Sequence, residues 1–254
     1  MFHLIIEYHV PENEDRHEEY LTCIRENLKN PYIEKVHIFS SSNRERPPIE
    51  DSKIVYAKRH KKSVEEHRGN EQQKSYLKVC DKGRATFSDL FRYTRESLNG
   101  EKCIIANSDI FFDETLGVIS DVDLGNIGIS LSRWDVKSNG DIELFRRADS
   151  QDSWIFTSPV SKEIEDKSNF YLGRMGCDNA LAWIMHDGGM KLTNPALQIV
   201  SKHLHLVEHR TYHNYGSLLN LDDPENGLEY TKVHITDDWQ LSRVAKNCPE
   251  WEIL

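Results

Sequence analysis

The chain has 254 residues, a formal net charge of −10 at pH 7, and 38% hydrophobic against 29% charged residues. This is the composition of an ordinary globular domain, and it excludes a disordered or fibrous chain. The acidic balance argues against sequence-independent binding to nucleic acid, which needs a basic surface to release counterions. An anionic ligand therefore needs a local positive feature, such as a metal ion or a few well-placed Arg and Lys side chains.

The five cysteines are odd in number and widely spaced, and the sequence contains no Cys-x-x-Cys pair. This pattern predicts neither a zinc site nor a disulfide framework, and it is typical of thiols in a reducing compartment. The N-terminus lacks a basic region ahead of its short apolar run, and no stretch reaches the ~18 apolar residues of a membrane span. We therefore expect a cytoplasmic protein, or one of the host cytoplasm if the chain is viral, without a membrane span.

The first part of the chain alternates strand and helix patterns. Residues 2–11 predict a mostly buried strand, and the following helix begins at an Asp15 cap and ends before Pro31. Further strands are predicted at residues 33–39 and 53–57. Strand, helix, strand, loop, strand is the opening of an α/β sheet with right-handed crossovers.

A charged stretch with almost no apolar residues, 58–75, indicates a solvated loop or a flap. Beyond it, apolar residues at helical spacing between Phe87 and Leu98 predict a helix that Asn99-Gly100 ends. The strand "CIIAN" follows at once, so the helix delivers the chain to a central strand that ends at residues 107–109.

The later elements are less regular. Strands are predicted at residues 125–134 and 142–147, in an aromatic stretch within 149–159, and in a segment spanning 194–206, with a helix that Asp178 caps before the last of them. The chain shows no internal repeat and no Gly/Ser-rich linker, which predicts one domain over residues 1–214. Residues 215–254 are acidic and irregular, and we expect them to form an extension that packs on the domain or acts as a lid.

The end of the central strand carries the first candidate chemistry. Asp109 follows the buried strand directly, after Asn107 and Ser108 and ahead of Asp113. Open α/β sheets bind ligands at the carboxyl ends of their strands. A carboxylate there can hold Mg²⁺ or Mn²⁺ and leave positions open for phosphate oxygens. A turn acid that caps the next helix explains the same pattern.

Asp178 is the second candidate. It lies at a predicted helix start after glycines that permit close approach of a ligand. A general base needs a carboxylate on a rigid element beside a substrate hydroxyl. Simple N-capping explains an Asp at this position equally well.

His203 and His205 form the third candidate, because side chains alternate along a strand and these two share one face. A metal or phosphate contact and an ordinary surface or core role are both open for them. Arg84, just before the helix that begins near Phe87, can reach a diphosphate at that helix's N-terminus or lie on the surface.

Aromatic side chains offer faces on which a sugar ring can stack. Trp134, in "SRW" with Arg133, and Trp154, in "DSQDSW", are the candidates. The alternative is a place in the core for one or both.

Several of these segments occur together and in order. The chain resembles nucleotide-sugar-dependent glycosyltransferases of the GT-A fold through "NSDIFF", "SRW", "DSQDSWIF", "LGRMGCDNALAW" and "NPALQIVSKHLH". More narrowly, it resembles the small soluble glycosyltransferase domains of large algal viruses and bacterial polysaccharide clusters. The resemblance extends from residue 2 to about residue 213. It implies a single α/β domain with a mixed, mostly parallel central sheet flanked by helices. Residues 1–116 are then the nucleotide-sugar half and residues 117–214 the acceptor half.

The resemblance also implies a divalent metal, Mn²⁺ or Mg²⁺. In this family an Asp-x-Asp motif at the end of a central strand holds the metal, which grips the nucleotide diphosphate. The matching triplet here begins with Asn107 instead of an acid, so Asp109 is left as the metal ligand. His203 or His205 completes the metal or diphosphate contacts.

Further roles follow from the same resemblance. Asp178 is implied as the base that deprotonates the acceptor hydroxyl, with Asp152 as its alternative. The residues implied at the nucleotide are His9, Val10, Arg84, Asn107, Ser108 and Asp109. The residues implied at the acceptor or sugar are Arg133, Trp134 and Trp154.

The sequence thus predicts a metal-dependent, inverting glycosyltransferase that moves a sugar from a UDP- or GDP-type donor to a hydroxyl of a glycan or glycoprotein. A retaining outcome stays open, because the sequence does not show which face of the sugar is attacked. A nucleotidyltransferase is a rival, but the loop after the first strand, "HVPENEDRHEE", is acidic and lacks glycine. A non-catalytic nucleotide-sugar-binding module is a second rival, since Asn107 departs from the metal-binding motif.

Overall fold

The computed structural model describes residues 1–40, 45–57, 84–174, 176–207 and 232–236. The strands within these ranges are β1 (Phe2–Tyr8), β2 (Ile33–Ser40), β3 (Ile54–Ala57), β4 (Lys102–Ala106), β5 (Ile110–Phe112), β6 (Ile127–Leu131), β7 (Trp134–Val136), β8 (Ile142–Leu144), β9 (Ser153–Thr157), β10 (Lys191–Thr193) and β11 (Ser201–His203). The helices are α1 (Glu14–Lys29), α2 (Phe87–Ser97), α3 (Lys162–Lys167) and α4 (Cys177–Asp187), with a 3₁₀ helix, η1 (Glu114–Ile119).

Seven strands form the main sheet in the order β10-β6-β9-β4-β1-β2-β3. The run from β4 to β3 is parallel, as is the β10–β6 pair, whereas β9 is antiparallel to both of its neighbours. The prediction of a mixed, mostly parallel sheet flanked by helices is confirmed. The strand order reverses between β1 and β4, so their carboxyl ends open a crevice at a topological switch point.

The central strand β1 is buried along its whole length. Its even-numbered residues, such as Leu4 and Ile6, belong to the core cluster on the α1 side of the sheet. Ile5 belongs to the cluster on the opposite face, which α2, α3 and α4 cover. A near-continuous apolar run is what a parallel strand covered on both faces requires. Replacing Ile5 with Ala should cost about 2–5 kcal/mol of stability.

Helix α1 begins two residues earlier than the sequence pattern predicts. The Asn13 side chain caps it by accepting from Arg16 N at 2.8 Å, and Asp15 lies in the first turn. The prediction of an Asp15 cap was therefore wrong. Near its other end, the Asn27 amide bonds both Ile110 O (2.8 Å) and Phe112 N (3.1 Å), which holds β5 against α1.

A second sheet, β5-β11-β7-β8, stands at the end of the first. Strand β11 is antiparallel to β5 and parallel to β7. The predicted strand over 125–134 is divided, because β6 joins the main sheet and Trp134 begins β7 of the small sheet. Of the predicted segment 194–206, only Ser201–His203 forms a strand, β11, and it belongs to the small sheet, whereas β10 ends just before this segment. The small sheet pairs β11 with β5, close to the end of β4.

Two helix starts differ in how they are capped. Thr86 caps α2 in a reciprocal capping box with Asp89. Gly176, in the left-handed region with φ 81°, is the N-cap of α4, and Asp178 lies in the first turn of that helix. The prediction that Asp178 is the cap was therefore wrong, and its carboxylate does not cap the helix.

Residues 232–236 contact the domain. Val233 N donates to Ala148 O at 2.9 Å, and Val233 O accepts from Asn194 Nδ2 at 3.0 Å. The remainder of the predicted extension 215–254 and the predicted loop 58–75 lie outside the described residues. Within the described ranges, no helix has the length and apolar character needed to cross a bilayer.

Candidate metal centre and active site

The chain leaves β4 at the switch point and turns directly against β1 and β9. Ser108 Oγ donates to the carbonyl oxygen of Glu7 on β1, and Asn107 N donates to Asp152 O at 3.2 Å. These bonds place Asp109 at the lip of the sheet with only 9% of its surface exposed. A nearly buried carboxylate at this position needs positive partners.

Strand β11 and the residues directly after it bring two histidines to Asp109. His203 Nε2 lies 3.2 Å and His205 Nδ1 lies 4.0 Å from Asp109 Oδ2. One ligand atom from each of the three residues falls within 4.8 Å of the others, which makes them a group able to hold a metal ion. The structure thus brings together the three residues that the sequence analysis singled out for metal binding.

His203 is held from behind by a second carboxylate. Its Nδ1 lies 2.8 Å from Asp135 Oδ1, and that oxygen also accepts from Arg133 Nε at 2.9 Å. A carboxylate on the far nitrogen orients a ligating imidazole and makes it more basic. Asp135 therefore aims His203 Nε2 at Asp109.

The charges of this group are strongly coupled. Burial opposes ionisation of Asp109, but His203 and Arg16 hold the pKa of its carboxyl well below the usual range. Burial likewise opposes protonation of His203, but the carboxylates of Asp109 and Asp135 raise its pKa to about 9. Without a metal, His203 is thus an imidazolium between two carboxylates at neutral pH. Burial lowers the pKa of His205, which leaves that ring neutral and able to ligate a metal.

The residues present fit a divalent cation. Among the described residues, two buried polar atoms of the cluster lack a hydrogen-bond partner, Asp109 Oδ1 and His205 Nε2. Such atoms are unfavourable unless a ligand satisfies them. One carboxylate and two imidazoles suit Mn²⁺ and other first-row transition metals better than Mg²⁺, which prefers oxygen ligands.

The two candidate bases lie together at the start of β9 and α4. Both carboxylate oxygens of Asp152 are bonded, one by Asn107 Nδ2 at 2.8 Å and the other by Arg133 Nη1 at 2.9 Å. Asp178 accepts a weaker bond from Cys177 Sγ at 3.0 Å. Burial and the nearby Asp152 carboxylate raise the pKa of Asp178 to about 8. Asp178 is therefore a stronger base than an ordinary aspartate, and it is ionised and able to accept a proton as the pH approaches and passes about 8.

Arg84 is engaged inside the protein. Its guanidinium bonds Glu7 Oε2 through Nε at 3.0 Å and Nη2 at 2.7 Å, and it bonds Leu172 O at 3.0 Å. The other oxygen of Glu7 accepts from Ala85 N at 2.9 Å. The N-terminus of α2 already carries the carboxylate of its own capping box. Arg84 thus fastens the start of α2 to β1, and its contact with a diphosphate stays a prediction.

His9 and Val10 directly follow the carboxyl end of β1, and their contact with a nucleotide stays a prediction. Val10 is 47% exposed, and His9 packs edge-on against Tyr20 with ring centroids 5.6 Å apart. They form the β1 side of the switch point, opposite Asp109.

The predicted sugar-stacking residues separate into two kinds. Trp154 is fully buried and packs edge-on against Phe87 at 5.0 Å, so it is a core residue with no face open to a sugar. Trp134 is half-buried, and its Nε1 donates to Ala196 O at 2.8 Å. Arg133 stacks over Phe145 at 4.2 Å while it binds its two carboxylates.

Sequence reasoning missed three residues of this site: Arg16, Glu19 and Asp135. Arg16 and Glu19 lie on α1, where charged residues in the sequence look like a solvated helix face. Asp135 follows "SRW" directly, and that proximity to a singled-out motif was its one signal.

No protein-family model matches the chain, and no curated protein matches it significantly.

Proposed function

We propose that the protein is a metal-dependent glycosyltransferase with a GT-A-like fold, transferring a sugar from a nucleotide-diphosphate sugar to a hydroxyl of a glycan or glycoprotein. The observation that carries the proposal is the Asp109–His203–His205 cluster at the end of β4, beside the switch point of the sheet. Crevices at such points bind nucleotides. A net-acidic protein needs a local cation to hold a diphosphate.

Each part of the site has a task in this reaction. Asp109, His203 and His205 would hold the metal, with Asp135 orienting His203. A bound divalent cation stabilises the charge that develops on the departing diphosphate. On the β1 side, His9 and Val10 border the space for the nucleotide.

Asp178 accepts the proton of the acceptor hydroxyl. Its raised pKa makes it a stronger base than an ordinary aspartate, and its place in the first turn of α4 makes it rigid. The negative charge of Asp152 raises the pKa of Asp178. Arg133 and Asn107 hold the Asp152 carboxylate in place. A base that activates the acceptor for direct attack corresponds to inversion at the sugar carbon, which is the outcome we propose.

A cytoplasmic location belongs to the same proposal. The described cysteines Cys23, Cys103 and Cys177 are buried free thiols, which suits a reducing compartment.

A non-catalytic nucleotide-sugar-binding module is the second candidate. It is favoured by Asn107, whose side chain bonds Asp152 at 2.8 Å in the position of the missing first acid. Both the glycosyltransferase and the binding module would bind the nucleotide sugar, but only the glycosyltransferase would cleave it.

A donor-cleavage screen tests the proposal. The protein is incubated with UDP-, GDP- and dTDP-sugars in Mn²⁺, in Mg²⁺ and in EDTA, and released nucleotide is measured for wild type and Asp109→Asn. Asp123→Asn is the matched control, because Asp123 is exposed and its turn bond to Gly125 N needs only an oxygen that Asn retains.

We expect metal-dependent cleavage of one donor, faster with Mn²⁺ than with Mg²⁺, lost in Asp109→Asn and kept in Asp123→Asn. Nucleotide-dependent stabilisation without cleavage would favour the binding module. Neither cleavage nor stabilisation by any donor would exclude both candidates.

A further inference from the structure

We propose that Glu19, with its partner Arg16, is a positioning residue for the metal centre. The pair acts as a clasp that holds the exit segment, residues 203–207, so that His205 stays beside Asp109. The inference rests on the proposed function, because it assumes that this cluster binds a metal.

The Glu19 side chain binds the main chain of the exit segment. Its Oε1 accepts from Leu206 N at 2.7 Å and from Val207 N at 3.1 Å. Its Oε2 accepts from Arg16 Nη1 at 2.6 Å, and both side chains are under 10% exposed. Hydrogen bonds to a buried carboxylate are among the stronger ones in proteins.

Arg16 holds the other side of His205. Its Nη1 donates to Leu204 O at 2.9 Å, and its Nη2 donates to the Asp109 carboxylate. Leu204 N in turn donates to Asp109 O at 2.9 Å. The residues before and after His205 are therefore both tied by their main chain, one to Arg16 and Asp109 and the other to Glu19.

Among the described residues, few other contacts hold this stretch. Strand β11 ends at His203, so the sheet ladder does not reach His205. Leu206 is 48% exposed, so its burial contributes little to fixing the segment. The polar contacts from α1, together with the bond from Leu204 N to Asp109 O, therefore set the distance between His205 and Asp109.

A test of the clasp must distinguish the effect of its charges on metal binding from the effect of its hydrogen bonds on the position of His205. A cation at Arg16 repels a metal at Asp109, so replacing Arg16 changes the electrostatics and the positioning together. Glu19 offers a cleaner comparison, since Met and Gln are similar in length and both neutral. Gln keeps an oxygen for the amides of Leu206 and Val207, and Met keeps none.

The experiment measures Mn²⁺ binding by the full chain, from the EPR signal of free Mn²⁺, for wild type, Glu19→Met and Glu19→Gln. Glu18→Ala is the control, an exposed acid on the same helix. Amide hydrogen exchange at Leu206 and Val207 is followed in the same proteins without metal. Glu19→Ala replaces Glu19→Met in the comparison if the Met variant does not fold.

We expect Glu19→Met to bind Mn²⁺ about 10- to 100-fold more weakly than wild type, as for other residues that support metal ligands. Glu19→Gln should recover most of that loss, and Glu18→Ala should bind as wild type. Exchange at the two amides should be faster in Glu19→Met than in Glu19→Gln. Equal Mn²⁺ affinities for the Met and Gln variants would overturn the clasp and leave the proposed function standing. Absence of Mn²⁺ binding by wild type would overturn the metal centre and the clasp together.

Discussion

The imidazole of His203 lies between two carboxylates, with Nδ1 2.8 Å from Asp135 and Nε2 3.2 Å from Asp109. The two contacts have different roles. Asp109 shares with His203 the space that a metal would occupy, whereas Asp135 holds the opposite edge of the ring. The arrangement makes the orientation of His203 depend on a residue outside the metal-binding cluster.

Replacing Asp135 with Asn should weaken Mn²⁺ binding about 10- to 100-fold. Asn keeps an acceptor oxygen but loses the charge that makes the imidazole more basic and that pairs with Arg133. Calorimetric titration with Mn²⁺ measures the change. Asp141→Asn is the control, since Asp141 lies in an exposed turn. Unchanged affinity in Asp135→Asn would show that Asp135 does not support the ligand.

The stability of the metal-free protein should fall at alkaline pH because of His203. Its folded-state pKa of about 9 is above the value of 6.5 for an unperturbed histidine. Its stabilising contribution is therefore fully present below pH 6.5 and is lost as the pH rises through 9, a change on the order of 3 kcal/mol. Urea unfolding in EDTA at a series of pH values measures it. A variant with His203→Gln should lack this component, and identical pH profiles for the two proteins would contradict the prediction.

Replacing Asp178 with Asn should stabilise the protein and stop transfer. The folded-state pKa of about 8 lies above the ordinary 3.8, so wild-type stability falls as the pH rises from about 4 to about 8. The neutral Asn avoids this loss, and the advantage of the variant should grow across that range. Transfer to an acceptor should drop about 10²- to 10⁴-fold without the base.

Melting curves at pH 5 and pH 8.5, together with a transfer assay, test both parts. A variant as active as wild type would remove Asp178 from the mechanism. A variant that melts lower than wild type at pH 8.5 would contradict the charge argument.

Replacing Arg84 with Met should destabilise the fold by about 2–3 kcal/mol, because the buried Glu7 carboxylate loses its cation. The double variant with Glu7→Gln should recover part of this loss, since no charge is then left unpaired. Urea unfolding of the single and double variants measures the coupling. Full stability of Arg84→Met, accompanied by weaker nucleotide binding, would instead support the predicted nucleotide contact.

The elements and the place of the site could largely be predicted from local sequence. The continuous apolar run of β1 and the helical spacing of apolar residues in α2 could be recognised because they are properties of neighbouring side chains. Asp109 was recognisable because an acid after a buried strand lies at the ligand-binding edge of a sheet. The predictions were least accurate at the ends of helices. Asn13 and not Asp15 caps α1, because several polar residues in a row can cap a helix.

The contacts that complete the site had no such local pattern. Arg16 is separated from Asp109 by 93 residues and Asp135 from His203 by 68, so their pairing depends on how α1 and β7 pack beside β4 and β11. Trp154 shows that even a residue within a recognisable motif can be ambiguous. A tryptophan there can bind a ligand or pack in the core, and only its burial in the folded structure distinguishes the two roles.

The sequence by itself determined the alternation of strands and helices, the acid at the end of β4 and the pair of histidines near the end of β11, because each depends on residues close together in the chain. Only the tertiary structure decided that these histidines face Asp109, that Asp178 lies beside Asp152, and that Arg84 is held by Glu7. Those relationships arise from strand order and helix packing, which join distant residues through burial and charge and leave no periodic trace in the sequence.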